Sequence, residues 1–588
     1  MGVIFLSIIR RIIGYVWKYR GMALAAIALL ILLISLNLIS PMITKAVIDD
    51  VIRGGNHSIL PKLLLVILAI SLCKGVVIYF RSYYFEKVSQ NCLFDLRNQL
   101  YKHLQHQSFT YFDNNRVGEL MSRMTGDLEG IRVFIVSGIT VLLENAIYFI
   151  GTIIVLISMN AKLAIVSLIM SPFIAWAAYR FDKKIRPIFS QIREQQAVLN
   201  TTAQENIAGV RVVKAFAREK YEIEKFMEEN RKNRDNNILA SFVSSNYSPI
   251  MDFLSGLSSI IVLWYGGRLV ALGEISLGTL VAFNNYLWML INPMRMLSWM
   301  INIMEHAVSS GDRVFNILDT GSNIKNKPNA YNPAEVRGDV KFSDVSFYYR
   351  DQQVLFHINL DVPAGKTVAI MGATGAGKTS IINLISRFYD VSNGRVLVDG
   401  VDVRDWDLDS LRGQIGIVMQ DTFLFSATIE ENIRYGNPDA TREEIIEAAK
   451  IARAHDFIME MPEGYDTIVG ERGMGLSGGQ KQRITIARAI VKNPKILIMD
   501  DCTSAVDMET EFEIQQALKE VMKGRTTFII AHRISSVKDA DEIIVLDKGR
   551  IAERGNHQQL LCQKGKYYEI YSQQFKDFVE SVEKRQVM

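Results

Sequence analysis

The chain has 588 residues, 49% of them hydrophobic, and the apolar content is unevenly spread: long apolar runs recur up to about Asn302, whereas beyond Gly311 charged and apolar residues mix as in an ordinary α/β domain. A formal net charge of +4, with no polybasic tail and no basic patch interleaved with aromatic residues, argues against nucleic acid as a partner. The four cysteines, Cys73, Cys92, Cys502 and Cys562, share no CxxC or Cys/His ligand spacing, so neither a structural zinc nor a disulfide framework is expected.

Residues 1–20 form the first predicted element. From Ile4 to Tyr19 apolar residues alternate with Arg10, Arg11 and Lys18 and with Tyr15 and Trp17, the pattern of an amphipathic helix lying in a membrane interface. Gly21 to Thr44 then gives 24 residues without a charge, which at a rise of about 1.5 Å each cross an apolar core of about 30 Å. Further spans are expected at about 60–85, 134–159, 163–179, 249–270 and 277–300, so residues 21–310 read as a six-helix transmembrane domain. Membrane lipid is therefore a partner. The basic start places the N-terminus in the cytoplasm, and six crossings return the chain there. Glu86–Arg132 and Arg180–Tyr247 are long, polar and periodic, which predicts helical arms reaching into the cytoplasm. Their tips, around Asn114–Arg123 and Glu205–Arg211, are expected to touch the second domain.

Lys74, Glu144, Asp252 and Arg295 lie in or near the spans, where an ionisable group costs at least about 2.5–3.5 kcal/mol unless it faces a cavity or a partner. Lys74 and Glu144 lie deepest. The last span adds Trp288, Met289, Met294, Met296 and Trp299, adaptable fillers that suit a cavity for hydrophobic or amphipathic cargo and suit plain helix packing equally well. Lys74, Glu144, Arg295 and Trp299 are the candidate lining of a substrate cavity.

Residues 311–337 read as a linker, broken by Gly321, Pro328 and Pro333, and residues 338–576 as a second domain with a tail at 577–588. Strands are predicted at Val340–Tyr349 and Thr367–Met371. Directly after the second comes Gly372-Ala-Thr374-Gly375-Ala-Gly377-Lys378-Thr379-Ser380 and a helical pattern, the Walker A order of strand, glycine loop and helix. Glycines let backbone N–H groups approach phosphate, the helix N-terminus favours its charge, Lys378 reaches the outer phosphates and Thr379 ligates Mg²⁺. Farther on stand Leu476-Ser477-Gly478-Gly479-Gln480 before a helix, Lys495–Asp507 with the apolar run Ile496–Met499 leading to Asp500 and Asp501, and Ile529-Ile-Ala-His532.

In this order the set resembles the ATP-binding cassette (ABC) superfamily, and over the whole chain a half-size exporter of the multidrug or lipid-flippase type: a membrane all-α domain followed by an α/β P-loop NTPase, the exporter-type (type IV) architecture. The resemblance implies ATP and Mg²⁺ as cofactors. It implies that Tyr349 stacks on adenine, that Asp500 holds Mg²⁺, that Gln420 senses Mg²⁺ and the attacking water, and that His532 contacts the γ-phosphate. Gly470-Glu471-Arg472-Gly473 resembles the loop that meets the cytoplasmic arms, and Ser504–Asp507 the loop between cassettes. It further implies a second half-transporter subunit, because Leu476–Gln480 would act in trans on the partner's nucleotide.

One position departs from the pattern. The residue after the Walker B aspartate is normally a glutamate; here it is Asp501, whose carboxylate is withdrawn by on the order of 1.5 Å, and misplacement by about 1 Å can cost about a hundredfold in rate. ATP binding is expected to persist and hydrolysis to be slow. The same deviation marks the degenerate-site subunit of bacterial heterodimeric multidrug exporters, and the intact Leu476–Gln480 fits that half. A homodimer with two slow sites and an ATP-gated channel on the same fold are the alternatives. The bacterial inner membrane is the expected location, with the cassette in the cytoplasm.

Overall fold

The computed structural model describes residues 2–470, 473–501 and 508–574, and they fall into two compact units: Met1–Gln105 with Arg116–Gly321, and His106–Asn115 with Ser322–Met588. The expected tail at 577–588 and the loop ending at Asp507 lie outside the described residues.

The first unit is helical throughout. Helix Gly2–Lys18 buries Ile8 and Ile12 and leaves Leu6, Ile13 and Trp17 exposed, as its amphipathic pattern requires. Among the described residues, five stretches are long and apolar enough to cross a membrane: Arg20–Arg53, His57–Gln105, Val117–Met159, Ala161–Ala208 and Glu219–Ala271. The sixth expected span opens a further helix, Leu277–Asp319, with Phe283, Tyr286, Leu287 and Leu290 buried. The longest helix, Glu219–Ala271, has 53 residues, and at a rise of about 1.5 Å each it extends about 80 Å, well beyond an apolar core of about 30 Å.

Two boundaries differ from expectation. The span expected at 163–179 is split into helices Ala161–Leu168 and Ser171–Ala208, because Pro172 offers no N–H to carry the ladder through Ile169 and Met170. The linker expected from 311 starts only after Asp319. Gly311, with no Cβ, lets Ile8 approach closely, and Val314 and Phe315 are buried. The Arg11 guanidinium lies 4.1 Å from the Phe315 ring centroid and donates to Asp319 at 2.6 and 3.0 Å, which holds the helix to its end.

Among the described residues the second unit holds ten strands: β1 (Val340–Tyr349), β2 (Gln352–Val362), β3 (Thr367–Gly372), β4 (Asn393–Val398), β5 (Val401–Asp402), β6 (Ile415–Val418), β7 (Ile496–Asp500), β8 (Thr526–Ile530), β9 (Glu542–Asp547) and β10 (Arg550–Gly555). An antiparallel sheet runs β2-β1-β4-β5, and a six-stranded sheet runs β10-β9-β3-β8-β7-β6, parallel from β9 to β6. Parallel strands covered on both faces read as unbroken apolar runs, and Ile496–Met499 is one. Its residues alternate between two cores: Ile496 and Ile498 pack with Phe528 and Ile370, Leu497 and Met499 with Ala369 and Ile529.

His106–Asn115 belongs to this unit although it lies between helices of the first. Phe109 packs on Phe388 with ring centroids 4.4 Å apart, Tyr389 donates to Asp113 at 2.7 Å, and Arg350 bonds Asn114. Of the expected tip at Asn114–Arg123, Asn114 and Asn115 belong to the second unit and Arg116–Arg123 to the first, while the aromatic Phe109 lies upstream of it. Glu205–Arg211 also belongs to the first unit.

Candidate functional site

The C-terminal ends of four neighbouring parallel strands gather the expected nucleotide residues. In the order β3-β8-β7-β6 the segments that follow carry Gly372–Ser380, His532, Asp500 with Asp501, and Gln420, and the register pairs Asp500 with Ile530 and Val418 with Met499. This is the crevice in which open parallel sheets bind ligands.

The loop after β3 has left-handed backbone at Gly375 and Gly377, and a Cβ on Gly377 would come within 2.7 Å of Leu355. Gly377 caps the helix Lys378–Ile385. The Lys378 ammonium, buried under the loop, donates to the carbonyls of Gly372 at 2.9 Å and Ala373 at 3.0 Å. Burial pushes its pKa down, opposed by the charges of Asp500 and Asp501. Thr379 Oγ1 donates to Asp500 Oδ2 at 3.3 Å, and Ser380 is buried beside it in the same helix. Burial raises the Asp500 pKa and the neighbouring Asp501 adds to this, while the Thr379 hydrogen bond, Lys378 and His532 act the other way. His532 is therefore within electrostatic reach of the site, and its carbonyl accepts from Gln574 at 2.5 Å. Thr374 lies in the glycine loop, and Gln420 is exposed just beyond β6.

Asp501 is buried, its N–H donates to the Ile530 carbonyl at 2.8 Å, and its φ of +43° lies in the left-handed region, which aspartate tolerates better than most side chains. Tyr349 ends β1 edge-on to Phe347 at 4.7 Å and to Tyr389 at 5.1 Å.

Ser477 caps the helix Gly478–Val491. Its Oγ accepts from the Gln480 N–H at 3.2 Å, and Gln480 Oε1 accepts from the Ser477 N–H at 2.9 Å. Leu476 anchors on the core and Gly479 is buried, leaving Ser477 and Gly478 exposed. The hydrogen bonds of Lys378 and Thr379 given above involve none of these residues. Glu471, Arg472 and Ser504–Asp507 lie outside the described residues.

The structure does not bring the four cavity candidates of the membrane half together. Glu144 lines a cleft of about 640 Å³ and meets Arg81 at 3.4 Å, a charge within a span that the sequence reading passed over. Trp299 lines a different cleft, of about 700 Å³, with His306 and Arg193. Arg295 pairs with Asp252 at 2.9 Å, and Lys74 is half-buried in neither cleft. Arg81 could have been found as the basic residue within reach of a deep glutamate; Tyr389, which joins Tyr349 to Asp113, had no such signal.

Residues 23–294 match the family described as ABC transporter transmembrane region, and residues 355–504 the family described as ABC transporter. The uncharacterized ABC transporter ATP-binding protein YknU of Bacillus subtilis (strain 168) is 43% identical over 97% of this chain and 97% of its own length. The ATP-dependent lipid A-core flippase of Syntrophus aciditrophicus (strain SB) is 40% identical over 94% of this chain and 92% of its own. Among solved structures, a bacterial Atm1-family ABC exporter with ATP bound is similar with a TM-score of 0.81 at 30% identity, covering 94% of this chain and 98% of that one.

Proposed function

This chain belongs to the ABC transporter family, and on that premise we propose that it is the slow-site subunit of an unequal pair that exports hydrophobic or amphipathic compounds. It is an integral membrane protein whose cassette is an ATPase coupled to transport. Lipids or drug-like molecules are the proposed cargo, and a lipid flippase among the relatives supports the former. Bacterial relatives support a bacterial inner membrane, with the cassette in the cytoplasm.

The observation that carries the reading is Asp501. Around it the groups needed to hold a nucleotide converge. Thr379 Oγ1 and Asp500 Oδ2 stand side by side, an oxygen pair of the kind Mg²⁺ takes, and the glycine loop has backbone where a Cβ would meet Leu355 or the Leu546 carbonyl. Bound Mg²⁺ would neutralise phosphate charge. Lys378, which now holds the Gly372 and Ala373 carbonyls, turns to the outer phosphates; Tyr349, buttressed by Phe347 and Tyr389, stacks on adenine; Gln420 and His532 orient water and the terminal phosphate. Asp501 is left to polarise that water with a carboxylate one methylene too short. Leu476–Gln480 lends an intact helix N-terminus to the partner's site, and closure of two cassettes on ATP drives alternating access.

Purification from native membranes tests the pairing. The expected partner is a second half-transporter with glutamate after its Walker B aspartate and an altered signature, and the pair retains one ATP on the Asp501 side. A homodimer with two equivalent turnovers overturns the heterodimer. ATP-evoked single-channel currents without cargo movement overturn the exporter.

A further inference from the structure

The cleft that holds Glu144 sets Trp288, Met289 and Tyr148, of the aromatic and Met-rich kind the spans suggest, among a row of polar side chains. Its walls come from three helical segments of the membrane half and include Asn37, Glu144, Asn145, Tyr148, Asn285 and Asn292. Within a membrane, polar side chains face a partner or a water-filled cavity, because lipid satisfies none of their hydrogen bonds. Most of these residues have such a partner. Asn37 donates to the Tyr148 hydroxyl, Asn145 donates to the Val141 carbonyl at 2.9 Å, and Glu144 meets Arg81. Asn284 accepts from the Ser259 hydroxyl and so is turned away into packing.

Asn285 and Asn292 are different. Both are exposed, and neither side-chain amide has a hydrogen-bond partner among the described residues. With Trp288, which is 56% exposed, they follow the helical spacing of three and four residues and so share one face of the last helix. That face presents an amide, an indole and an amide in sequence. Each amide offers two donors and an acceptor, and the indole offers a flat apolar surface. A sugar ring has the complementary form, with hydroxyls at its edge for the amides and C–H groups on its face for the indole. Charge narrows the choice further. The Glu144 carboxylate is compensated by Arg81, and Arg295, one turn beyond Asn292, is taken by Asp252.

We propose that this cleft binds the neutral, hydroxyl-rich headgroup of an amphiphile, a glycosyl or polyol group, through Asn285 and Asn292 with its ring against Trp288. The proposal rests on the exporter reading and names the class of its cargo.

The test uses the complete transporter in lipid nanodiscs without nucleotide. Four photo-crosslinking probes share one diazirine-bearing alkyl tail and carry a glucosyl, a phosphocholine, a trimethylammonium or no headgroup. The glucosyl probe is expected to label cleft peptides about tenfold more than either charged probe, the discrimination expected of a site with amides to satisfy. In the Asn285→Leu/Asn292→Leu variant that preference falls to the level of the bare tail, while labelling by the bare tail, which reports the folded cleft, is unchanged. Asn292→Gln, which keeps an amide, retains part of the preference. Equal labelling by all headgroups, preference for trimethylammonium, or no labelling in the cleft overturns the proposal. Because labelling needs no turnover, headgroup-indifferent labelling in a protein that moves amphiphiles with ATP defeats this inference alone. Glucosyl-selective labelling without ATP-driven movement defeats the exporter reading instead.

Discussion

At the residue scale, two side chains carry consequences that can be measured. Asp501→Glu lengthens the carboxylate toward the place where water is polarised, and ATPase activity is expected to rise, by up to about a hundredfold if position alone is limiting. The same substitution puts a longer side chain at φ +43°, which costs about 1 kcal/mol, so a thermal melt should show a slightly less stable but faster enzyme. An unchanged rate means that another defect dominates. His557 gives a pH signature. Burial, with help from Lys538 and against Asp539, holds its pKa below the usual 6.5, and its Nδ1 lies 2.7 Å from the buried hydroxyl of Tyr567, whose own pKa burial pushes up to about 12. Since the folded state favours the neutral ring, this contribution to stability is full above pH 6.5 and is lost as pH falls through the depressed value. Melting temperature should therefore decline on acidification from pH 7.5 to pH 5 more in the parent than in His557→Gln, and equal slopes would remove His557 as the cause. The gathering of the proposed nucleotide residues at neighbouring strand ends was legible because each motif is a contiguous string whose spacing follows from backbone geometry. Arg81–Glu144 and the Asn285–Trp288–Asn292 face were not, since partner and exposure depend on which helices pack together.

At the scale of elements, close approaches decide what can change. Gly278 stands where a Cβ would come 2.5 Å from the Lys45 carbonyl and 2.7 Å from the Asp49 carboxylate, which accepts from the Gly278 N–H at 2.8 Å and from the Ser276 hydroxyl. Asp49 thus caps the start of the last helix from another segment. Gly278→Ala is expected to destabilise by about 1–3 kcal/mol, read as a lower melting temperature in nanodiscs, and a neutral result would mean that the junction gives way. Phe109 is the corresponding point in the second unit. Phe109→Ala removes its packing on Phe388 and should abolish stimulation of ATPase activity by cargo while leaving most basal activity; full retention of stimulation would show that the segment is dispensable. The spanning helices were readable from long charge-free runs and the arms from apolar periodicity, but helix ends were not. The linker reads as starting at 311 in sequence, yet in the fold Gly311 is the small residue that admits Ile8, and the helix continues to Asp319.

At the scale of the whole molecule, residues 23–294 match the ABC transporter transmembrane region and residues 355–504 the ABC transporter family, whose half-size members work with a partner subunit. If that partner carries the competent glutamate, a pair loaded with labelled ATP and washed should retain about one nucleotide per dimer, bound on the side of Lys378 and Asp500; rapid loss of both would remove the asymmetry. The domain order was legible in the sequence because composition changes sharply between the halves, whereas the membership of His106–Asn115 was not, since ten residues between two membrane helices give no sign that they pack with residues far downstream. That membership also bears on how the protein is made. Phe109 and Asp113 leave the ribosome about 280 residues before Phe388 and Tyr389, and at about 5–20 residues per second the segment waits roughly 14–56 s for its aromatic socket to be synthesised. A nascent chain arrested before residue 388 should leave the segment open to protease, and a released full-length chain should protect it, which makes the docking of ten residues a clock for the completion of the cassette.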